Sequence, residues 1–354
     1  MRTDVTQAPP TPGAAVLPPP QDHASATLPS APRDIAPLLL VPALMLAMLP
    51  LVGSTSTWIT LTVAGLAMGM MIFIMASGLT LVFGLMDVLN FGHGALVSVG
   101  AYAATLVLLP MRHWAEADSL LLNLGVLGLA VVVAMAVTAL IGFAFERILI
   151  APVYGQHLKQ ILITMGGMIV AEQVISVIWG AEQIPLLLPT TLQGSILFGD
   201  ASLEKYRLVA VVVGLVVFAL MFLVLNRTRI GLLIRAGVEN SEMVESLGYR
   251  IRRLFIAVFA AGSALAGLGG VMWGLYKGTL TAAMSGDVMV MIFIVVIIGG
   301  LGSVGGCFIG ALLMALAANY AGFLAPKVAL VSHILVMIAI LLWRPAGLFS
   351  GVRR

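Results

Sequence analysis

Four polar side chains stand inside otherwise apolar stretches of the chain, where they could carry chemistry. Asp87, Asn90 and His93 recur at every third position, a spacing that places them on one face of a helical turn. Glu172 lies near the middle of a separate apolar run. Polar groups at membrane depth are costly and usually face a cavity or one another, so each is a candidate for a solute path or a proton carrier. No nucleophile accompanies His93, and the sequence predicts no catalytic site.

Each of these residues also has a structural interpretation. Residues 87–93 could form a polar turn between two helices, or a broken helix whose backbone lines a translocation path. Glu172 could make a hydrogen bond between helices, or serve as a functional carboxyl group in the membrane. The residue types alone leave both alternatives open at both places.

The composition shows what kind of protein must position these residues. The chain has 354 residues, of which 61% are hydrophobic and 9% charged, and its mean hydropathy is +1.11. Soluble domains are about 45–50% apolar and about 25% charged. The apolar runs are long and continuous, as helices that span lipid require, which predicts an all-α polytopic membrane protein. The single cysteine, Cys307, allows no internal disulfide, and no cysteine-based metal site is expected.

The apolar runs predict about 8–10 transmembrane helices. The segments are 35–52, 58–84, 88–109, 120–145, 161–180, 207–226, 254–276, 288–300, 306–320 and 329–343. The short segments 288–300 and 306–320 flank the sequence GGLGSVGG (299–306), whose glycines disfavour a regular helix. We therefore expect Gly-broken half-helices that meet at this point.

The distribution of basic residues predicts the orientation. If every segment crosses and the N-terminus is cytoplasmic, thirteen of the chain's 18 lysines and arginines fall on the cytoplasmic side. This bias predicts that both termini are cytoplasmic. Residues 1–34 are rich in proline, alanine, serine and threonine and are expected to form a disordered cytoplasmic tail. Residues 35–349 would form the transmembrane domain, and residues 350–354 a short basic C-terminus.

The polar segment 226–253 is expected to be a cytoplasmic loop that docks on another protein. Within it, residues 241–248 predict a short helix, with Ser241 as its N-cap and Gly248 just past its end. Its predicted apolar face consists of Met243, Val244 and Leu247, and its acidic residues, Glu239, Glu242 and Glu245, lie on a different face. The alternative is a helix lying on lipid headgroups. The acidic residues disfavour that alternative, because the inner leaflet is usually anionic.

Four stretches, in this order, resemble the permease subunits of ABC importers for branched-chain amino acids. They are GLTLVFGLMDVLNFGHGALVSVGAYAA (78–104), NRTRIGLLIRAGVENSEMVESLGYRIRR (226–253), VVIIGGLGSVGGCFIGALL (295–313) and RPAGLF (344–349). Asp87 departs from the small or apolar residue expected at its position in many relatives.

The resemblance implies that this chain works together with several partner proteins. An external solute-binding protein would deliver the solute, a second related permease would complete the path, and two ATPase subunits would dock on the 226–253 loop. ATP and Mg would bind to those ATPase subunits, and this chain would bind no cofactor and would not be an enzyme. It would lie in the bacterial plasma (inner) membrane, in contact with the lipid bilayer and with no nucleic acid. The chain also lacks a G-x-x-x-x-G-K-[ST] phosphate loop.

The resemblance also suggests which residues do this work. The expected docking residues are Arg235, Glu239, Glu242, Met243, Val244, Leu247 and Gly248. The candidate path residues are Asn90, His93, Glu172, Gly299, Gly300 and Gly302. Related permeases for urea or short amides carry similar stretches and remain an alternative. An ion-coupled secondary transporter that relies on Glu172 is a further alternative, and a purely structural membrane protein is the weakest.

Overall fold

The computed structural model describes residues 35–239, 241–329 and 331–349. The predicted tail, residues 1–34, and the predicted basic end, residues 350–354, lie outside the described residues. Residues from Ala36 onward form one compact helical unit.

Every predicted apolar segment is a helix. The helices are α1 (Ala36–Val52), α2 (Thr55–Met86), α3 (His93–Leu108), α4 (Arg112–Ala115), α5 (Leu120–Phe145), α6 (His157–Trp179), α7 (Lys205–Arg227), α8 (Arg229–Glu239), α9 (Ser241–Ser246), α10 (Ile251–Lys277), α11 (Met284–Gly299), α12 (Val304–Leu324), α13 (Pro326–Ala329) and α14 (Ser332–Trp343). Among the described residues, 6 helices are long and apolar enough to cross a membrane: α2, α5 with its continuation to Val153, α6, α7, α10 and α12. The apolar helices α1, α3, α11 and α14 are shorter.

Two small antiparallel sheets were not predicted from the sequence. Strands β2 (Ser195–Phe198) and β3 (Ala201–Glu204) form a hairpin that turns at Gly199 and Asp200. Strands β1 (Ile184–Pro185) and β4 (Thr279–Leu280) pair across two separate connections. These short strands join loops to one another, and the fold is otherwise helical.

The connections between helices gather at two ends of the bundle. One end, which we call the long-loop end, consists of the segments 87–92, 146–156, 228–250, 300–303 and 344–349. At this end Gly84 meets Gly302, and the aromatic ring of Tyr154 contacts that of Phe255. The hairpin end consists of 109–119, 180–204 and 278–283, which are joined by β1–β4 pairing and by hydrogen bonds from Thr190 and Thr191. Successive long helices therefore run in opposite directions, as a polytopic arrangement requires.

Glycines let α10 pack closely against its neighbours in the centre of the bundle. A Cβ placed on Gly100 of α3 would overlap the backbone of Gly267, and one on Gly78 of α2 would overlap the backbone of Gly262. A Cβ on Gly270 would overlap the carbonyl of Val97. Close approach at small residues is how membrane helices gain packing energy without a hydrophobic driving force. The α10 glycines therefore fix the positions of α2 and α3, and the turn between these two helices carries the polar residues 87–93.

The glycine break at 299–306 is a turn between two helices. Gly300 and Gly302 have φ of 95° and 79°, which is the left-handed region that favours glycine. After this turn α12 folds back along α11, so that Gly310 packs against Val295 and Ile298. The break is where the sequence predicts it, but half-helices are not shown, because α12 continues for 21 residues.

Candidate translocation and docking site

The 87–92 segment is a polar turn between α2 and α3. Asp87 ends α2 in the left-handed conformation, with φ of 52°, and its N–H donates to the carbonyl of Phe83 at 2.9 Å. Aspartate is one of the few residues besides glycine that tolerates this conformation. The helix end thus accounts for an acidic residue where a small or apolar one was expected. Its Oδ2 lies 4.0 Å from Nε2 of His157, at a partly exposed position.

His93 begins α3 and is buried in the bundle. Its Nε2 lies 2.8 Å from the carbonyl oxygen of Met75, on α2. The side chain thereby ties the first turn of α3 to the middle of α2. The imidazole is thus hydrogen-bonded to the backbone of α2. That His93 lines the translocation path stays a prediction.

Asn90 differs from His93, because its amide has no partner among the described residues. The side chain is 1% exposed, and neither Nδ2 nor Oδ1 makes a hydrogen bond within the described part of the chain. The surrounding backbone is held in place, since the carbonyl of Asn90 accepts from the N–H of His93 and the N–H of Phe91 donates to Thr164 Oγ1. A buried amide without partners costs free energy. Asn90 is therefore the candidate path residue with hydrogen-bonding capacity to spare.

Glu172 makes the helix–helix hydrogen bond that was one of its two interpretations. The hydroxyl of Ser285, a buried residue in the first turn of α11, donates to Glu172 Oε1 on α6. This contact joins α6, a largely exposed helix, to the packed part of the bundle. It favours the structural interpretation of Glu172.

The glycine turn at 300–303 is completed by a distant part of the chain. The N–H of Leu348 donates to the carbonyl of Ile298 at 2.8 Å, and that of Phe349 donates to the carbonyl of Gly299 at 3.1 Å. Gly347, with φ of 81°, packs directly on Gly300. Three of the four stretches singled out from the sequence therefore meet at the long-loop end.

The fourth stretch is attached to the same end by a small apolar core. Ile234 of α8 packs with Leu85 and Val88, at the end of α2 and just beyond it, and with Val258 of α10. This core holds the 228–250 segment against the helix that leads into the 87–92 turn. A displacement of α8 would therefore be transmitted to α2.

The short helix α9 presents a smaller apolar surface than the sequence predicts. Met243 and Leu247 are 60% and 70% exposed, whereas Val244 is only 4% exposed. Val244 therefore faces inward, and the predicted single face of three residues is divided between core and surface. Gly248 has φ of 87°, and its N–H donates to the carbonyl of Glu245, as expected of the glycine just past a helix end.

The charged residues of the predicted docking set have different surroundings. The Arg235 guanidinium is exposed and donates to the carbonyl of Leu225 at 2.5 Å, which holds it at the end of α7. The side chains of Glu239 and Glu242 lie outside the described residues.

A buried pair at the end of α5 was missed by the sequence analysis. Glu146 is fully buried in a π-helical turn, Glu146–Ile150, and its Oε1 accepts a hydrogen bond from the Tyr154 hydroxyl at 2.5 Å. Burial and, secondarily, this hydrogen bond raise the pKa of Tyr154, so the hydroxyl stays protonated and can donate. A glutamate at the end of an apolar segment with a tyrosine eight residues later was the available signal.

Asn123 at the hairpin end was also missed. Its Nδ2 donates to the carbonyls of Trp114 and Ala117 at 2.9 and 2.8 Å, and its Oδ1 accepts from the N–H and the hydroxyl of Thr191, both at 3.0 Å. This one buried amide fastens the 109–119 connection to the 180–204 connection. No sequence spacing links these positions, since Thr191 lies 68 residues away.

Comparisons with known proteins identify the family of this chain. The family described as "Branched-chain amino acid transport system / permease component" matches residues 61–342. The chain is 27% identical to the high-affinity branched-chain amino acid transport system permease protein BraD of Pseudomonas aeruginosa, over 81% of this chain and 94% of the relative. It is 26% identical to the corresponding LivH protein of Escherichia coli, over 81% of this chain and 93% of the relative.

A relative from another organism gives a similar match. The chain is 26% identical to the probable branched-chain amino acid transport permease protein LivH of Methanocaldococcus jannaschii, over 80% of this chain and 89% of the relative. No solved structure matches the chain significantly. Because the family matches most of the chain, including the helices that form both ends of the bundle, this protein belongs to the branched-chain amino acid transport permease family.

Proposed function

We propose that this chain is the permease subunit of an ATP-driven importer that moves branched-chain or other hydrophobic amino acids inward. The long-loop end faces the cytoplasm, with both termini on that side, and two ATPase subunits dock on the 226–253 loop. A second permease completes the path, and an external solute-binding protein delivers the solute at the hairpin end. ATP and Mg bind to the ATPase subunits.

The observation that carries this proposal is the helix α9, which is anchored to the bundle by one apolar residue and exposes two others. Met243 and Leu247 lie one helical turn apart and present large, exposed apolar side chains outside the transmembrane helices. The inward-facing Val244 anchors α9, and the core around Ile234 connects the neighbouring α8 to α2. A partner that pushes on this surface would therefore act on the 87–92 turn and on Asn90 within it.

A charge placed on the docking surface tests this arrangement. Leu247→Asp should abolish co-purification of the ATPase subunits, because an aspartate would have to be desolvated at the interface. Leu247→Met keeps the apolar surface and should bind them as the wild type does. Leu197→Asp alters a similarly exposed residue, 74% exposed, at the hairpin end, and should also leave ATPase binding unchanged. Normal ATPase binding by Leu247→Asp would refute the docking assignment.

Reconstituted transport tests the substrate and the energy source. We expect uptake of labelled leucine only in vesicles that contain the ATPase subunits, the second permease, the binding protein and ATP. Uptake by this chain alone, driven by a proton or sodium gradient, would replace the ATP-driven proposal with an ion-coupled one. The Ser285–Glu172 hydrogen bond speaks against that outcome, because it gives the membrane carboxyl group a structural role.

The alternative substrate class is urea or short amides. Excess urea should leave leucine uptake unchanged if the path is built for hydrophobic amino acids. Competition by urea would favour the alternative.

A further inference from the structure

A cavity of about 560 Å³ lies at the long-loop end, apart from the 87–92 turn. It is bounded by α1, the last turns of α2, the end of α7, the middle of α8, the start of α12, Gly302 of the 300–303 turn and Phe349. Its walls are apolar and rich in phenylalanine; they include Leu81, Leu85, Phe218, Phe222, Phe308 and Ile309. The Phe218 and Phe308 rings stack with their centroids 4.1 Å apart and form one side.

The cavity reaches the outer surface of the helix bundle. Leu38 of α1 and Phe222 of α7 both line it, and both are more than half exposed, at 52% and 56%. Because α1 is apolar throughout and α7 is apolar between its charged ends, their exposed apolar faces would lie against acyl chains in a membrane. The opening between them is therefore accessible from the lipid phase.

A cationic group stands at one edge of this apolar space. Arg235 lines the cavity, and its hydrogen bond to the Leu225 carbonyl holds the guanidinium at the end of α7, next to Asn226. Arg227 and Arg229, on the same connection between α7 and α8, are also exposed. No carboxylate lines the cavity among the described residues.

This combination does not suit the amino acid that the permease is proposed to carry. A zwitterionic amino acid brings an ammonium group, which would have to be buried without an anionic partner. An acyl chain requires only apolar walls, and a phosphate group beside Arg235 would gain a charge-assisted hydrogen bond. Basic pockets between membrane helices on the cytoplasmic side commonly hold anionic lipid headgroups.

We propose that this cavity binds an anionic membrane phospholipid, with one acyl chain between α1 and α7 and the phosphate beside Arg235. The proposal rests on the proposed cytoplasmic position of the long-loop end, but the binding itself can be measured on the isolated chain. The lipid would contact Ile234 and Arg235 of α8 and would thereby support the first helix of the 226–253 loop.

Native mass spectrometry of the detergent-purified full chain tests the proposal with dioleoyl phosphatidylglycerol and dioleoyl phosphatidylcholine as probes. The wild type should retain phosphatidylglycerol in preference to phosphatidylcholine. Arg235→Gln should lower that preference roughly fivefold, as expected for one cation at an anionic headgroup. Equal retention of both lipids by the wild type would overturn the proposal.

A cavity-filling pair of variants tests the position of the acyl chain. Gly305 lines the cavity, and a Cβ added there meets nothing within 4 Å, so Gly305→Phe should fill the space without disturbing the backbone and abolish retention of phosphatidylglycerol. Gly128→Phe makes the same change at an equally open position on α5, away from the cavity, and should retain the lipid as the wild type does. Unchanged retention in Gly305→Phe, or equal loss in both variants, would contradict the assigned site.

Discussion

Each end of the bundle contains a buried asparagine, and the two asparagines differ in their hydrogen bonds. At the hairpin end, Asn123 uses both amide hydrogens and both oxygen lone pairs to fasten two connections together. At the long-loop end, Asn90 is equally buried, but its amide makes no hydrogen bond within the described residues. The difference shows that the asparagine at one end is fully hydrogen-bonded, whereas the asparagine at the other keeps hydrogen-bonding capacity, as the proposed solute path would require.

Left-handed backbone occurs at both ends, but with different residues. The hairpin end contains the positive-φ glycines Gly180, Gly194, Gly199 and Gly278, and the long-loop end contains several more. Among the described residues, Asp87 at the long-loop end is the one non-glycine residue with positive φ. A non-glycine residue in this region costs free energy, so the surrounding structure must hold it in place.

The largest effect is expected from Asn123→Leu. This variant leaves the carbonyls of Trp114 and Ala117 and the Thr191 hydroxyl without their partner, at a cost of about 3 kcal/mol or more in the free energy of unfolding. Denaturant titration of the purified chain would measure it. Leu124→Ala, at a neighbouring exposed position on α5, serves as the control and should have little effect. A loss below about 1 kcal/mol would remove the contrast between the ends.

The next effect concerns the glycine turn. Gly300→Ala places a Cβ at φ of 95° and against the carbonyl of Phe349, which should cost about 2 kcal/mol and release the 344–349 segment. Limited trypsin digestion at Arg344 should accelerate. Gly305→Ala, on the neighbouring helical turn and in open space, should leave digestion unchanged. Equal protection of Gly300→Ala would show that the segment does not depend on this contact.

The Asn90→Leu variant tests the asparagine at the long-loop end, the counterpart of Asn123. Replacing a buried amide that has no partner by an apolar side chain of similar volume should not destabilise the protein and should stabilise it by up to about 1 kcal/mol. If the spare capacity serves transport, leucine uptake should fall on the order of tenfold, the equivalent of one lost hydrogen bond of about 1.4 kcal/mol. Destabilisation as large as that of Asn123→Leu would show that Asn90 is a structural residue.

The smallest effect is expected at Asp87. Asparagine also tolerates the left-handed conformation, so Asp87→Asn should change the free energy of unfolding by less than about 0.5 kcal/mol. Asp87→Val, the matched variant with a branched side chain, should cost about 1–2 kcal/mol. Equal stability of the two variants would mean that the conformation of this helix end is not what selects the residue.

The sequence predicted the helices well because each apolar run is a local property. All ten predicted segments are helices, and the loop helix α9 ends at Ser246, with the left-handed Gly248 shortly beyond its end, as the capping pattern indicates. The break at 299–306 was also predicted, since adjacent glycines disfavour a helix wherever they occur. What happens after the break was not predictable, because the return of α12 along α11 depends on contacts such as that of Gly310 with Val295.

The partners of individual residues were not predictable for a related reason. The bonds of Asn123 to Thr191 and of Glu172 to Ser285 join positions far apart in the chain, and no local periodicity encodes them. The glycines of α10 resemble those of any apolar helix until Gly267 is seen against Gly100. Spacing placed Asp87, Asn90 and His93 on one helical face, but the chain turns between them, and the three side chains have different roles.

The turn at 300–303 has a consequence for the order in which the protein is made. The carbonyls of Ile298 and Gly299, which lead into this turn, accept hydrogen bonds from the N–H groups of Leu348 and Phe349. These two residues are synthesised only after α12, α13 and α14. During translation the turn therefore emerges from the ribosome well before its partners. The long-loop end can therefore be completed only after those later helices have been made and have folded onto the bundle. Its pairing is one of the last steps in the assembly of the protein.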